Sequence, residues 1–119
     1  MSWLSRLFSS SRDAPVTPAD FAKRDPKVPV LDVRTPGEYT GGHVKGALNV
    51  NLMERGFDDR LRALEEKGAI QKDRPVYVYC RSGNRSGKAV KALRRMGFEH
   101  AVNVGGIEPL RAAGAKVVK

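Results

Sequence analysis

The chain has 119 residues, enough for one domain with a buried core, and carries a net charge of +9 from 22 basic and 13 acidic side chains. One cysteine excludes an internal disulfide and any multi-thiolate metal site; with only His43 and His100 besides, neither a structural zinc nor a metal cofactor is expected. No stretch reaches the roughly 20 apolar residues of a membrane span, and Met1 to Arg12 lacks the continuous apolar run of a secretory signal, so the cytoplasm is the expected compartment.

Residues 1–16 read as a tail ahead of a single domain over 17–119. In the tail, Trp3, Leu4, Leu7 and Phe8 fall on one face if the segment is helical. That pattern leaves open a loose tail, a tail docked on its own domain, a partner contact or a weak membrane-surface contact.

Thr17 then caps a short helix with Pro18 in its first turn. Pro29 to Val33 reads as a buried strand, and Thr35-Pro36 starts a helical turn that Gly41-Gly42 ends. Ala47 to Val50 is a second strand. A helix is expected from Asp58 or Asp59 to about Lys67, with Leu61 and Leu64 facing inward and Gly68 stopping it. Val76 to Tyr79 is apolar enough for a central strand of a parallel sheet. Ser86 to Met96 forms the next helix, with Ala89, Val90, Leu93 and Met96 as its inner face and Gly97 at its end. Ala101 to Val104 is a strand, and Glu108 to Ala113 a last short helix. Such alternation of strands and helices predicts an α/β domain with a mainly parallel central sheet flanked by helices.

Cys80 stands where the central strand ends, at the edge where open α/β sheets place ligands. Arg81, Ser82, Gly83, Asn84 and Arg85 follow it before the helix near Ser86. A loop of this kind can turn its backbone N–H groups toward one point, and the next helix aims its positive end there. Two arginines add full charges. Each contribution favours thiolate over thiol, and the thiolate is the nucleophile. A buried structural cysteine, the usual role of a lone one, has no need of so polar a sequel. Cys80 is therefore the expected catalytic residue, with Arg81 through Ser86 as the groups that bind its substrate.

Cysteine-dependent phosphatases place an arginine six residues after the nucleophile; here that position is Ser86, and the arginine is Arg85. The shorter loop suits a smaller guest, such as a sulfur atom carried on Cys80. In this the chain resembles the single-domain members of the rhodanese family of sulfurtransferases. Three further segments carry the resemblance: Leu31-Asp32-Val33-Arg34 with Glu38-Tyr39, then Gly42-His43-Val44-Lys45-Gly46-Ala47-Leu48-Asn49, and Asn103-Val104-Gly105-Gly106-Ile107 with Ala113-Gly114. Together they span about Thr17 to Val118. Many members of the family carry Trp where this chain has Leu110, a position at the pocket rim.

The resemblance implies a rhodanese-like three-layer fold and a persulfide formed on Cys80 without any cofactor. A small anionic donor such as thiosulfate would supply the sulfur, its sulfonate held by Arg81 or Arg85. Cyanide, a thiol or a sulfur-accepting protein would collect it. Asp32, Arg34, Glu38 and His43 are expected to support the site. Arg34 is expected to pair with Glu38, and Asp32 is open to lining the pocket instead. The family pattern makes His43 structural, although a Cys–His pair is the other chemical option. A sulfur relay to a protein partner, a phosphatase and an arsenate reductase are the competing functions; the absent second thiol speaks against the last. Lys88, Lys91, Arg94 and Arg95 cluster on the helix after Cys80 without interleaved aromatics. That reads as a solvated face and a funnel for anions rather than a nucleic-acid surface. A monomer is expected.

Overall fold

The computed structural model describes residues 16–119. The tail therefore lies outside the described residues, except for Val16. Thr17 opens α1 (Pro18–Ala22), its hydroxyl accepting from Asp20 N while the Asp20 carboxylate takes the Thr17 N–H. The order then runs β1 (Val30–Asp32), α2 (Pro36–Thr40), β2 (His43–Val44), β3 (Leu48–Asn49) and α3 (Phe57–Glu66). It closes with β4 (Val76–Cys80), α4 (Asn84–Arg95), β5 (Ala101–Gly106), α5 (Ile107–Ala112) and β6 (Val117–Val118). Among the described residues no helix is long and apolar enough to cross a membrane.

Four strands form one parallel sheet in the order β3-β1-β4-β5. Alternation along β4 divides the core. Val76, Val78 and Cys80 face α3 and α4 together with Leu31, Leu61, Ala89 and Leu93. Tyr79 faces the other way, toward Phe21 of α1 and Ile107 and Leu110 of α5. The expected fold class, an α/β domain with a central parallel sheet between helical layers, is the observed one. A pairing that the sequence reading did not anticipate is the antiparallel contact of β2 with β6. Two-residue strands are too short for an alternation pattern, and these two segments meet only through tertiary packing.

Two details place the sulfur. The β4–β5 register shifts between Val78 and Tyr79, so that Val78 pairs with Asn103 but Tyr79 and Cys80 pair with Gly105 and Gly106. A Cβ at Gly106 would run into the Arg81 carbonyl, so only glycine lets the loop after Cys80 pass over the end of β5. The chain then turns at Gly83, whose φ of 96° is left-handed, and enters α4 at Asn84. The helix thus begins two residues before the expected Ser86. Of the Cys80–Arg85 loop, Asn84 and Arg85 already belong to its first turn.

Candidate active site

Ser86 heads the inner stripe of α4, continued by Ala89, Val90 and Leu93. It is the one polar residue of that stripe, fully buried, and it stands against the sulfur: Ser86 Oγ lies 3.3 Å from Cys80 Sγ. Gly83 N–H donates to the sulfur at 2.9 Å. Cys80 itself is fully buried. Burial pushes its thiol up, but hydrogen bonds from the Ser86 side chain and from the amides of Ser86, Ser82 and Gly83 outweigh it. The net effect is a thiol more acidic than usual, its thiolate favoured by three amides and a hydroxyl rather than by every amide of the loop.

The two loop arginines differ. Arg85 is held bidentately by Glu38, at 2.7 Å (Nη1–Oε1) and 2.9 Å (Nη2–Oε2). Glu38 also accepts from Thr35 N at 3.0 Å, closing the capping box of α2. The Arg85 guanidinium, more than any other group, pulls the Glu38 carboxyl down to about 2. Arg81 is exposed and forms no ion pair with any described residue. It walls a cleft of about 400 Å³, together with Glu38, Gly42, Ile107 and Arg111. The Arg111–Glu108 contact is loose, 3.8 Å between largely exposed side chains.

The expected Arg34–Glu38 pair is not formed. Arg34 instead binds Asp32, with Nε at 3.0 Å from Oδ1 and Nη2 at 2.7 Å from Oδ2. The reason is local: Asp32 and Arg34, two apart on extended backbone, share a face. Arg34 precedes the helix in which a spacing of four would bring it to Glu38. Asp32 is fully buried and receives the Tyr79 hydroxyl at 2.6 Å, so it braces the strands rather than lining the cleft. Burial, seconded by Asp32, pushes the Tyr79 phenol well above its ordinary range. His43 Nδ1 donates to the Tyr39 carbonyl at 2.9 Å and its ring stacks on Tyr39 with centroids 3.7 Å apart. It has no hydrogen bond to Cys80. Leu110 is fully buried in the second core and is not among the residues that line the cleft.

Two site residues escaped the sequence reading. Tyr79 looked like a strand residue because its hydroxyl partner is 47 residues away. Asn103 was visible only as part of the closing motif. Its amide accepts from Ser86 Oγ at 2.7 Å and donates to the Gly83 carbonyl at 3.0 Å.

A sulfur at a strand end, receiving the Gly83 amide at the start of a helix, is an arrangement suited to thiol chemistry. Residues 17–113 match the rhodanese-like domain, and the chain belongs to that family. It is 35% identical over 91 residues to the uncharacterized protein YqhL of Bacillus subtilis, covering 76% of this chain and 66% of that protein. It is 36% identical over 80 residues to the thiosulfate sulfurtransferase PspE of Escherichia coli, covering 67% of this chain and 71% of that one. Among solved structures it resembles a rhodanese-related protein from Thermoplasma volcanium, with a TM-score of 0.67 and 31% identity, covering 87% of this chain and 96% of the other.

Proposed function

We propose that this chain is a thiosulfate-type sulfurtransferase that carries sulfur on Cys80. The observation behind this reading is the acidified sulfur, which receives the Gly83 amide at 2.9 Å beside the Ser86 hydroxyl. Cys80 thiolate attacks the outer sulfur of thiosulfate. The S–S bond of the donor breaks, sulfite leaves with the electron pair, and the outer sulfur stays on Cys80 as a persulfide anion. Amides and the Ser86 hydroxyl that favoured the thiolate then lie beside the charge on the persulfide. A second nucleophile attacks the outer sulfur and the Cys80 thiolate returns: cyanide gives thiocyanate, and a thiol gives its own persulfide.

We assign the donor's sulfonate to Arg81, with Arg111 across the cleft; the engagement of Arg85 by Glu38 supports this choice. With one cysteine the chain has no internal thiol to resolve the persulfide. The acceptor is therefore external, either a small thiol or a sulfur-accepting protein. The scheme needs no cofactor, and we place it in a cytoplasmic monomer.

Intact-mass measurement tests the reading. Thiosulfate should add about 32 Da, one sulfur atom on the thiolate, and cyanide should remove it as thiocyanate. Cys80→Ser should show neither. Thiocyanate production at the native rate by Cys80→Ser would sink the assignment.

A further inference from the structure

The sulfur belongs to a closed hydrogen-bonded ring. Gly83 N–H donates to Cys80 Sγ at 2.9 Å, and Gly83 O accepts from Asn103 Nδ2 at 3.0 Å. Asn103 Oδ1 accepts from Ser86 Oγ at 2.7 Å, and Ser86 Oγ lies 3.3 Å from Cys80 Sγ. The amide orientation is fixed, because Gly105 N–H also donates to Asn103 Oδ1, at 2.9 Å. An amide nitrogen could not stand there.

The ring has one proton too few to serve both charge states of the sulfur. A hydroxyl has a single proton. Asn103 Oδ1 can only accept, so in the observed contact Ser86 gives its proton to Asn103. The Cys80–Ser86 contact is then S–H···O, with the thiol as donor. Once Cys80 ionises it has nothing to donate, and Ser86 can hydrogen-bond the thiolate only by turning its proton away from Asn103. Ser86 is fully buried, so water is poorly placed to give the thiolate a donor in its stead, while the exposed Asn103 keeps the Gly105 N–H when the hydroxyl turns. The Ser86 proton is contested between Asn103 and the sulfur.

We propose that Asn103 is a positioning residue of this site: it fixes the Gly83 turn through its NH₂ and, by competing for the Ser86 proton, sets how readily Cys80 ionises. The proposal rests on Cys80 being the nucleophile of the reaction above, but it concerns ionisation and needs no sulfur donor to test. The charged groups around the sulfur are Arg81 and Arg85 from its own loop and helix, Glu38 of α2 in the Arg85 pair, and Asp32–Arg34 at the end of β1. Glu108 and Arg111 of α5 lie across the cleft. β5 contributes no charge, so Asn103 acts from a neutral strand.

The single cysteine makes the experiment clean. Thiolate absorbance and the rate of iodoacetamide alkylation are followed against pH in the native chain, Asn103→Asp, Ser86→Ala and the double variant. A carboxylate holds the Ser86 proton more tightly and cannot donate to Gly83 O. Asn103→Asp should therefore raise the midpoint by about one pH unit, a tenfold loss of thiolate below it. In the Ser86→Ala background the same change should shift the midpoint by less than half as much. Equal shifts in both backgrounds would mean that charge alone acts, and no shift would mean that Asn103 has no hold on the sulfur; either result overturns the proposal. If Asn103→Asp fails to fold, amide resonances of the native chain decide. The Gly105 N–H, left as sole donor to Asn103 Oδ1 when Ser86 turns, should titrate with Cys80 in the native chain and lose most of that response in Ser86→Ala. A Gly105 resonance that ignores Cys80, or responds equally in both chains, overturns it. Failure of the thiosulfate mass adduct would leave these titrations unaffected.

Discussion

Tyr79 and Cys80 are neighbours at the end of β4, yet they point into polar settings of opposite kinds. The Tyr79 hydroxyl donates to Asp32 at 2.6 Å and accepts from Val44 N–H at 2.9 Å. Asp32 in turn is saturated by Arg34, whose remaining reach goes to the Gly42 carbonyl at 2.6 Å. Donors and acceptors match, the charges cancel, and the cluster is buried. On the other face, donors converge on one sulfur, Ser86 has two candidates for one proton, and Arg81 forms no ion pair with any described residue. A polar cluster that closes on itself ties β1 to β4 and both to β2. One that leaves donors and charge unmatched can receive a guest.

The largest expected effect breaks the closed side. Arg34→Ala leaves the fully buried Asp32 carboxylate without its counter-charge, which should destabilise the fold by about 3–5 kcal/mol in urea unfolding at neutral pH. Tyr79→Phe removes one hydroxyl and should lose about 1–2 kcal/mol. Cys80→Ser, on the open side, should leave stability close to native while removing the sulfur adduct. Native stability in Arg34→Ala, together with a large loss in Cys80→Ser, would invert the comparison.

A smaller effect separates the two arginines of the open side. Arg81→Ala should raise KM for thiosulfate roughly tenfold, about 1.4 kcal/mol, with kcat little changed. Arg111→Ala should do the same more weakly, since its side chain is half exposed and the sulfonate would be shared with Arg81. Arg85→Ala releases Glu38 and loosens α2, so its loss should persist with an uncharged sulfane-sulfur donor. If Arg85→Ala were selective for anionic donors and Arg81→Ala were not, the roles assigned to them would be exchanged.

The open side was the more legible of the two in the sequence. Strand, cysteine, polar loop and helix are contiguous, so local rules suffice to place Cys80, the loop donors and the amphipathic α4. The closed side depends on contacts between distant segments. Asp32 meets Tyr79 across 47 residues, and Glu38, on the border of the two sides, meets Arg85 across as many. Sequence spacing alone offered Arg34 two carboxylates, and only the backbone between them decides for Asp32. Asn103 shows the same limit. Its neighbours mark a strand running into two glycines, but the register shift that sets its amide against Ser86 is a property of the sheet.

The last effect lies on the border between the two clusters. Glu38 joins α2 to the Cys80 loop through Arg85, and its carboxyl is held down at about 2 against an ordinary value of 4.5, chiefly by that guanidinium. A carboxylate depressed in the folded state contributes stability that is fully present above its unfolded value and lost as pH falls through its folded one. This contribution should therefore be intact above pH 4.5 and disappear on acidification toward pH 2. Both side chains are about one quarter exposed, 25% for Arg85 and 28% for Glu38. Solvent screening then limits the effect to about 1 kcal/mol, the upper range for exposed pairs. Urea midpoints measured across that window should fall less steeply in Glu38→Gln, which has no proton to take up. Because the freed Arg85 still sits at the loop, the variant should also bind thiosulfate at least as well as the native chain at neutral pH. Identical pH slopes for the two chains would show that the pair forms without stabilising the fold, and α2 would then be held to the loop by packing alone.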